Sequence, residues 1–376
     1  MPSRSAGRPH PTTSRSSAGS CTRSPDGSMR SRSGCRRSAH GAVAPGVRAS
    51  ARDDVPGRRV LITGIASYLG TELARILEED PAVEYVAGVD TRKPRALLAG
   101  TELIDVDIRD PELLTRIPDT GVDTVVHNQI VRRPGAGMSA RRAHDINVIG
   151  SLQLLAACGR TPTLRAIVVR GSAGIYGAEP AAPQFFTEDM TRLYPLRTRF
   201  QRDVAEIENL FGTFARRHDE VACAMLRYQP SIGPTGSTQI PQYLSLPVVP
   251  TYLGFDPRLQ VIHERDALDA LVAAVRRPVR GPVNVAAEGT IGLTRMIRIA
   301  GRPTLPIPSP LFGSATGAAK RLGLLDFSPD FQRLLRYGRG VDTSRLVREV
   351  GFRAHFTTVS AAEDYAAARN TAEAAA

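Results

Sequence analysis

Residues 60–77 constrain the fold of this chain more than any other stretch. The segment VLITGIASYLGTELARIL begins with an apolar run, turns between Gly64 and Gly70, and continues with apolar residues at helical spacing. This pattern predicts a buried parallel strand that turns sharply into a helix. The first N–H groups of such a helix, and the positive end of its dipole, face the turn. The segment therefore predicts an anion site, typically for a pyrophosphate, at the first strand of an α/β domain.

Strand-like and helix-like segments alternate from residue 58 onward. The predicted strands are 59–64, 83–90, a short one ending near Asp107, 122–128, 164–172, 220–230 and 281–287, and the predicted helices are 71–79, 111–117, 140–160 and 200–218. This alternation predicts an α/β fold, a doubly wound parallel Rossmann sheet with a smaller C-terminal substrate lobe.

Domain boundaries follow from the same pattern. We expect a Rossmann domain over 58–230, completed by the strand near 281–287, and a lobe that takes most of 231–376. Residues 302–312 are predicted to be a proline-rich connector, and 341–370 are predicted to form two short helices around a Gly-Phe turn.

The first 57 residues differ in composition from the rest. They contain ten Arg and three acidic residues and are rich in Ser, Gly and Pro, so we expect a disordered basic tail. Three alternatives remain open for it: an organelle transit peptide, an over-extended start with Met29 as the later one, and a nucleic-acid-binding arm. Because the basic excess belongs largely to this tail, we do not expect nucleic acid as a partner of the folded body.

Several classes of protein are disfavoured by composition. The four cysteines show no CxxC spacing and the seven histidines are scattered, so neither a disulfide framework nor a metal site is expected, and a cytoplasmic location fits. No run of 18 apolar residues occurs in the sequence, so no membrane partner is expected.

The glycine turn carries a family resemblance. Thr63 to Gly70 resembles the TGxxGxxG motif of the extended short-chain dehydrogenase/reductases, in the branch of NAD-dependent epimerases and dehydratases, with Ser67 at the middle glycine. Asp90 follows about 20 residues later at a strand end, where a carboxylate binds the adenosine ribose. The resemblance implies NAD, with NADP less suited because its 2′-phosphate would meet Asp90, although Arg92 and Lys93 weaken that preference.

Further positions match the branch in order. The resemblance implies cofactor contacts for Gly64, Ser67, Tyr68, Leu69, Gly70, Asp90, Asp107, Ile108, His127 and Asn147. For His127, a satisfied histidine at a strand end is the better interpretation. The segment 171–177 resembles SSxxVYG, which puts Ser172 on the catalytic serine or threonine of the branch. Arg227 and Arg258 are candidates to bind a substrate diphosphate, and Arg258 is the better of the two.

The acid–base pair of the branch is missing. The Tyr-x-x-x-Lys positions hold Phe200 and Val204, and no lysine occurs between residues 94 and 319. Tyr194, Asp203 and Glu188 are the nearby substitutes, with Tyr194 the first choice, although a packing or surface role is favoured for each. If the site is otherwise intact, we expect Phe200→Tyr with Val204→Lys to raise turnover on a UDP-hexose.

Two functions remain open from the sequence. The favoured one is an NAD-dependent epimerase or dehydratase, similar to UDP-hexose 4-epimerases, that acts on a nucleotide sugar through an atypical acid–base site. The alternative is a catalytically impaired NAD-binding protein that serves as a sensor or assembly partner. The resemblance also implies a homodimer formed through a helix bundle.

Overall fold

The computed structural model describes residues 57–132, 137–191, 193–236, 238–314 and 327–375, with side chains to 371. The predicted tail, apart from Gly57, lies outside these residues. In the described part of the chain, no helix combines the length and the apolar character that crossing a membrane requires.

A seven-stranded parallel sheet forms the centre of the fold. Its strands are β1 (Arg58–Thr63), β2 (Val83–Val89), β3 (Thr101–Ile104), β4 (Thr124–His127), β5 (Ala166–Ser172), β6 (Ala222–Tyr228) and β11 (Gly281–Val285). Their order across the sheet is β11-β6-β5-β4-β1-β2-β3, and every neighbouring pair is parallel. The predicted fold class is confirmed. The order reverses between β1 and β4, and ligands of such sheets bind beyond the strand ends at this switch point.

Helices cover both faces of the sheet. They are α1 (Tyr68–Glu78), α2 (Leu113–Asp119), α3 (Ala140–His144), α4 (Gly150–Cys158), α5 (Arg199–Arg217) and α7 (Glu264–Arg276). α1 and α7 share one apolar cluster with the sheet, whereas α2, α4 and α5 share the other. β1 and β4 are buried between these layers, which explains their nearly continuous apolar sequence.

The C-terminal lobe has its own apolar cluster. It contains α6 (Gln239–Leu244), β7 (Ser231–Ile232), β8 (Val249–Tyr252), β9 (Arg258–Leu259), β10 (Ile262–His263), β12 (Ile291–Gly292), α8 (Leu293–Ile299), β13 (Thr304–Ile307), α9 (Pro329–Tyr337) and α10 (Thr358–Ala375). The lobe is not a separate stretch of chain, because α7 and the π-helix Leu346–Val350 pack on the sheet instead.

Four predicted elements differ in the structure. β3 ends at Ile104, before Asp107. The expected helix over 140–160 contains a π-helical turn at Asp145–Ile149 between α3 and α4. The expected connector over 302–312 contains β13, which pairs in parallel with β8. Pro306 is tolerated in β13 because both strands of a two-stranded sheet are edge strands. The two expected terminal helices are a five-residue π-helix and the 18-residue α10.

Candidate functional site

The turn between β1 and α1 is shaped by two glycines and a serine. Gly64 has a φ of +69°, which favours glycine. A Cβ on Gly70 would lie 2.4 Å from the carbonyl oxygen of Gly64, so that position accepts no side chain. Ser67 caps α1: its Oγ accepts a hydrogen bond from the Gly70 N–H at 3.1 Å and donates one to the Gly64 oxygen at 2.8 Å. A serine therefore fits the middle position of the motif.

The first turn of α1 offers backbone donors. Within the described residues, the N–H groups of Tyr68 and Leu69 have no protein acceptor. Burial, and then the charge of Glu264, raise the pKa of the Tyr68 phenol, which keeps it neutral. The turn can therefore bind an anion through its backbone.

Asp90 closes the other side of this turn. Its buried carboxylate accepts hydrogen bonds from the N–H of Ala66 at 3.2 Å and from the N–H of Arg92 at 3.1 Å. The Arg92 Nε lies 3.3 Å from the same carboxylate. Asp90 thus stands at the end of β2, as predicted, with a cation beside it.

Asp107 and Ile108, which follow β3, lie in different environments. Asp107 is half-buried, and the guanidinium of Arg109, 2.7 Å away, holds the pKa of its carboxyl below the usual range. The side chain of Ile108 is fully buried in the apolar core, with Gly150 of α4 packed against it. Ile108 can therefore contact a nucleotide only through its backbone, and the implied cofactor contact at this position stays a prediction.

His127 is not available to a cofactor. It is fully buried, its Nδ1 lies 2.9 Å from Thr63 Oγ1, and its Nε2 lies 2.9 Å from Ser151 Oγ. Burial lowers its pKa to about 3, so the ring is neutral. Both nitrogens have partners, and His127 is a structural residue that ties β4 to β1 and α4.

The side chain of Asn147 also forms its hydrogen bonds within the protein. It lies in the π-helical turn, where its Oδ1 accepts from the Val131 N–H at 2.7 Å and its Nδ2 donates to the Val131 carbonyl at 3.0 Å. The same Nδ2 donates to Asp203 at 2.9 Å. Asn147 therefore fixes the backbone that follows β4, rather than reaching a cofactor directly.

A cavity of about 400 Å³ opens beside the end of β5, between the sheet and the lobe. Its polar wall includes Arg132, Arg170, Ser172, Asp330 and Arg339, and its apolar wall includes Phe200 and Phe331. The volume is in the range of ligand sites.

Ser172, Phe200 and Asp330 converge in this cavity. A Cβ placed on Gly174 would lie 3.1 Å from Ser172 Oγ, 3.4 Å from Asp330 Oδ2 and 3.6 Å from Phe200 Cε1. The capping box of α5 holds this geometry. The Gln201 N–H donates to Thr198 Oγ1, and the Gln201 side chain accepts from the Thr198 N–H. The same side chain donates to the Gly174 carbonyl at 3.1 Å. Burial raises the pKa of Asp330, against the lowering charges of Arg339 and Arg132.

Phe200 and Val204 pack on the same apolar cluster but differ in exposure. Phe200 faces the cavity, whereas Val204 is only 1% exposed and packs in an apolar cluster with Ala173 and Phe186. A lysine at 204 would bury its ammonium in that cluster, which is costly. The expectation that Phe200→Tyr with Val204→Lys raises turnover stays a prediction, and the burial of position 204 counts against it.

None of the three substitutes suggested by sequence lines the cavity. The Tyr194 hydroxyl donates to the Ala181 carbonyl at 2.7 Å. Glu188 accepts from the Asn284 N–H at 2.9 Å, and Asp203 lies 2.7 Å from His144 Nδ1. Each has a packing role, so Tyr194 is corrected as the first choice.

Arg227 is not a substrate ligand. It is 3% exposed, and its guanidinium donates to both oxygens of Glu208, at 2.9 and 2.7 Å. The remaining donors bond the Tyr176 hydroxyl, the Glu188 carbonyl and Thr191 Oγ1. Burial opposes its charge, yet the bonds and charge of Glu208 raise the pKa of Arg227. All five donors are used within the protein.

Arg258, the better of the two predicted diphosphate ligands, lies outside this cavity, and its role stays a prediction. It is exposed on β9, whose backbone pairs with β12, and it does not line the cavity described above. Its backbone carbonyl accepts from the Arg339 N–H at 3.2 Å. The neighbour that reaches the cavity is thus Arg339.

Sequence reasoning missed four cavity residues. Arg132 and Arg170 lie beside recognised motifs, but their side chains are indistinguishable by pattern in an arginine-rich chain. Asp330 and Arg339 come from α9 and the segment after it, far from any motif. The N-cap signal Ser328-Pro329 could have placed the α9 terminus, but not its position against β5.

One group of possible metal ligands occurs among the described residues: Asp266, Asp269 and His355. The Asp266 carboxylate already accepts bonds from the His355 N–H at 2.9 Å and from the Phe356 N–H at 3.0 Å. This group ties α7 to the loop before α10, and nothing in its geometry calls for a cation.

Comparison with known proteins gives matches over most of the chain. Residues 60–286 match the NAD dependent epimerase/dehydratase family. An uncharacterized protein of Mycobacterium tuberculosis is 36% identical over 313 residues, which cover 81% of this chain and 82% of the relative. An uncharacterized protein of Mycobacterium bovis matches to the same extent, with 36% identity over 313 residues.

Solved structures show the same fold at low identity. One is a UDP-glucose-4-epimerase from Stenotrophomonas maltophila with bound NAD and formylated UDP-arabinopyranose. It superposes with a TM-score of 0.65 and 19% sequence identity, and the match covers 85% of this chain and 100% of that chain. Another is a dTDP-glucose 4,6-dehydratase from Bacillus anthracis in complex with NAD. It superposes with a TM-score of 0.64 and 14% sequence identity, and the match covers 85% of this chain and 98% of that chain.

Proposed function

We propose, from the premise that this chain belongs to the NAD dependent epimerase/dehydratase family, that it binds NAD at the β1–α1 turn and acts on a nucleotide sugar beside Ser172. The observation that carries the proposal is the convergence of Ser172 and Asp330 in one cavity at the end of β5. The Stenotrophomonas maltophila neighbour holds NAD together with a UDP-sugar, which supports the same pairing of ligands here.

The residues of the turn fit NAD. Gly70 leaves a concave backbone that a side chain would fill, and the N–H groups of Tyr68 and Leu69 are suited to a pyrophosphate. Asp90 stands where the adenosine ribose hydroxyls would be bound. We propose NAD rather than NADP because a 2′-phosphate would meet the Asp90 carboxylate.

NAD, when bound, supplies a hydride acceptor for oxidation of the sugar. The chain must then take a proton from the sugar hydroxyl and hold that hydroxyl in place. Ser172 is suited to orient it by a hydrogen bond, and Asp330 to accept its proton. Because burial raises the pKa of Asp330, this carboxyl is a stronger base than an ordinary aspartate, which suits general base catalysis.

The second candidate is an NAD-binding protein without turnover. Phe200 and the buried Val204 favour it, because they remove the acid–base pair of the family. The two candidates are distinguished by incubating the protein with NAD and UDP-glucose, UDP-galactose or UDP-glucuronate, and following the sugar by NMR. A changed sugar supports the enzyme. An unchanged sugar, with NAD bound, supports the sensor or assembly protein.

Gly70→Ala tests the cofactor site. The new Cβ would lie 2.4 Å from the Gly64 oxygen and 2.8 Å from Ile65 Cα, both backbone atoms that cannot move aside. We expect calorimetry to show an affinity for NAD at least about tenfold weaker. Gly100→Ala is the control, because its Cβ would meet nothing within 4 Å, and NAD affinity should stay unchanged. Equal NAD affinity in both variants would contradict the site.

A homodimer through α4 and α5 is part of the proposal. Ile149, directly before α4, is 46% exposed, and Leu152 on α4 is 49% exposed, which supports an apolar contact there. We expect Leu152→Glu to shift sedimentation toward the monomer, whereas Leu103→Glu on β3, at a position 50% exposed, should not. A wild-type monomer in sedimentation would refute the dimer.

A cytoplasmic location is proposed too, supported by the buried free thiols of Cys158 and Cys223.

A further inference from the structure

Three guanidinium groups meet in the cavity beside Ser172. Arg132 follows β4, Arg170 lies on β5, and Arg339 follows α9. The only carboxylate that shares this cavity wall, among the described residues, is Asp330. The cavity therefore carries an excess of positive charge.

Within the ranges that the structure describes, the side-chain hydrogen bonds of these arginines go to neutral acceptors. Arg132 donates to the Gly171 carbonyl at 3.5 Å, and Arg170 donates to Asn128 Oδ1 at 3.2 Å. Arg339 donates to the side-chain oxygen of Gln229 and to the Gly177 carbonyl, both at 3.2 Å. In the described part of the molecule, the buried Nε of Arg170 has no acceptor.

This arrangement is costly unless a further anion binds, because Asp330 is one carboxylate beside three guanidinium groups. Burial, and then the charges of Arg170 and Arg339, lower the pKa of Arg132 to about 9. Burial also lowers the pKa of Arg170. Like charges brought together away from water destabilise one another, and an anion bound between them would relieve that repulsion.

The position of the arginines points to the sugar part of the substrate. Arg170 and Ser172 are two residues apart on β5, so their side chains leave the same face of the strand. The Arg132 guanidinium lies 6.0 Å from the centre of the Phe200 ring, beside the same reaction centre. The hydroxyls of a neutral hexose cannot balance this charge, whereas a carboxylate can pair with guanidinium groups bidentately.

We propose that the sugar carries a carboxylate and that Arg132, Arg170 and Arg339 bind it. The substrate class is then a nucleotide-linked uronic acid rather than a neutral nucleotide hexose. This inference rests on the proposed function and specifies its substrate.

The test compares three ligands by calorimetry with NAD present: UDP-glucuronate, UDP-glucose and UDP. We expect the wild-type protein to bind UDP-glucuronate at least about tenfold more tightly than UDP-glucose, which corresponds to about 1.4 kcal/mol. Arg170→Gln should remove most of that preference and change the affinities for UDP-glucose and UDP by less than about threefold. Arg165→Gln, outside the cavity before β5, is the matched control and should keep the preference.

Different results overturn different statements. Equal wild-type affinity for UDP-glucuronate and UDP-glucose overturns the uronate inference and leaves the proposed function standing. Equal weakening of all three ligands by Arg170→Gln also overturns it, because the arginine would then bind the diphosphate. Absence of binding by either UDP-sugar, with NAD bound, overturns the proposed function on UDP-sugars together with the inference.

Discussion

Replacing Asp330 by asparagine is expected to lower kcat about 10²–10⁴-fold, the usual contribution of a general base. Asn keeps the shape of the side chain but cannot accept the sugar proton. The measurement is conversion of the UDP-sugar that the wild-type protein turns over, followed by NMR. Asp219→Asn, in the exposed turn after α5, is the control and should leave kcat unchanged.

The pH profile gives an independent readout for Asp330. As a base, it must be ionised, so kcat/KM should fall as the pH falls through its pKa. Because burial raises that pKa, the fall is expected at a higher pH than for an ordinary aspartate. This fall of kcat/KM at low pH, the acidic limb of the profile, should be absent from the residual activity of Asp330→Asn. A variant that keeps the wild-type kcat and the same limb would remove Asp330 from the chemistry.

Replacing Glu208 by glutamine is expected to destabilise the fold by about 3 kcal/mol, because breaking a buried ion pair leaves an uncompensated charge. Arg227 would keep its full charge at 3% exposure, with both of its bonds to that carboxylate weakened. Unfolding in urea measures the effect. Glu206→Gln, exposed on the same helix, should change the free energy of unfolding by less than about 0.5 kcal/mol.

A double variant separates the charge from the packing. Glu208→Leu with Arg227→Met removes both charges, and we expect it to recover a large part of the lost stability, as replaced buried pairs often do. A loss below about 1 kcal/mol in Glu208→Gln would mean that solvent reaches Arg227 and that its structural role is overstated.

The cofactor end of the molecule could be predicted from sequence because its residues are close in the chain. The β1–α1 turn is set by local spacing, and Asp90 by the length of one helix and one strand. Arg227 could not be placed in the same way. Nothing near Arg227 in the sequence shows that Glu208, in the middle of α5, packs against it, so a residue of a structural ion pair was predicted to bind substrate.

The cavity beside Ser172 could not be predicted from sequence for a related reason. Its walls combine the ends of β4 and β5 with α9, and only tertiary packing brings Asp330 to Ser172. The loss of Tyr and Lys at 200 and 204 was visible in sequence. The carboxylate that stands near Phe200 was not, because it comes from another part of the chain.

The π-helical turn at Asp145–Ile149 makes the site depend on the number of residues in the helix that contains it. Such a turn accommodates one residue more than a regular α-helix would. Deleting one residue there would restore a regular α-helix between α3 and α4 and would turn the side chains within the former π-helical turn to new directions. The Asn147 amide would then leave Val131, and the backbone that carries Arg132 would lose its anchor. Along this stretch, a change in residue count would alter the cavity more than most changes in residue type.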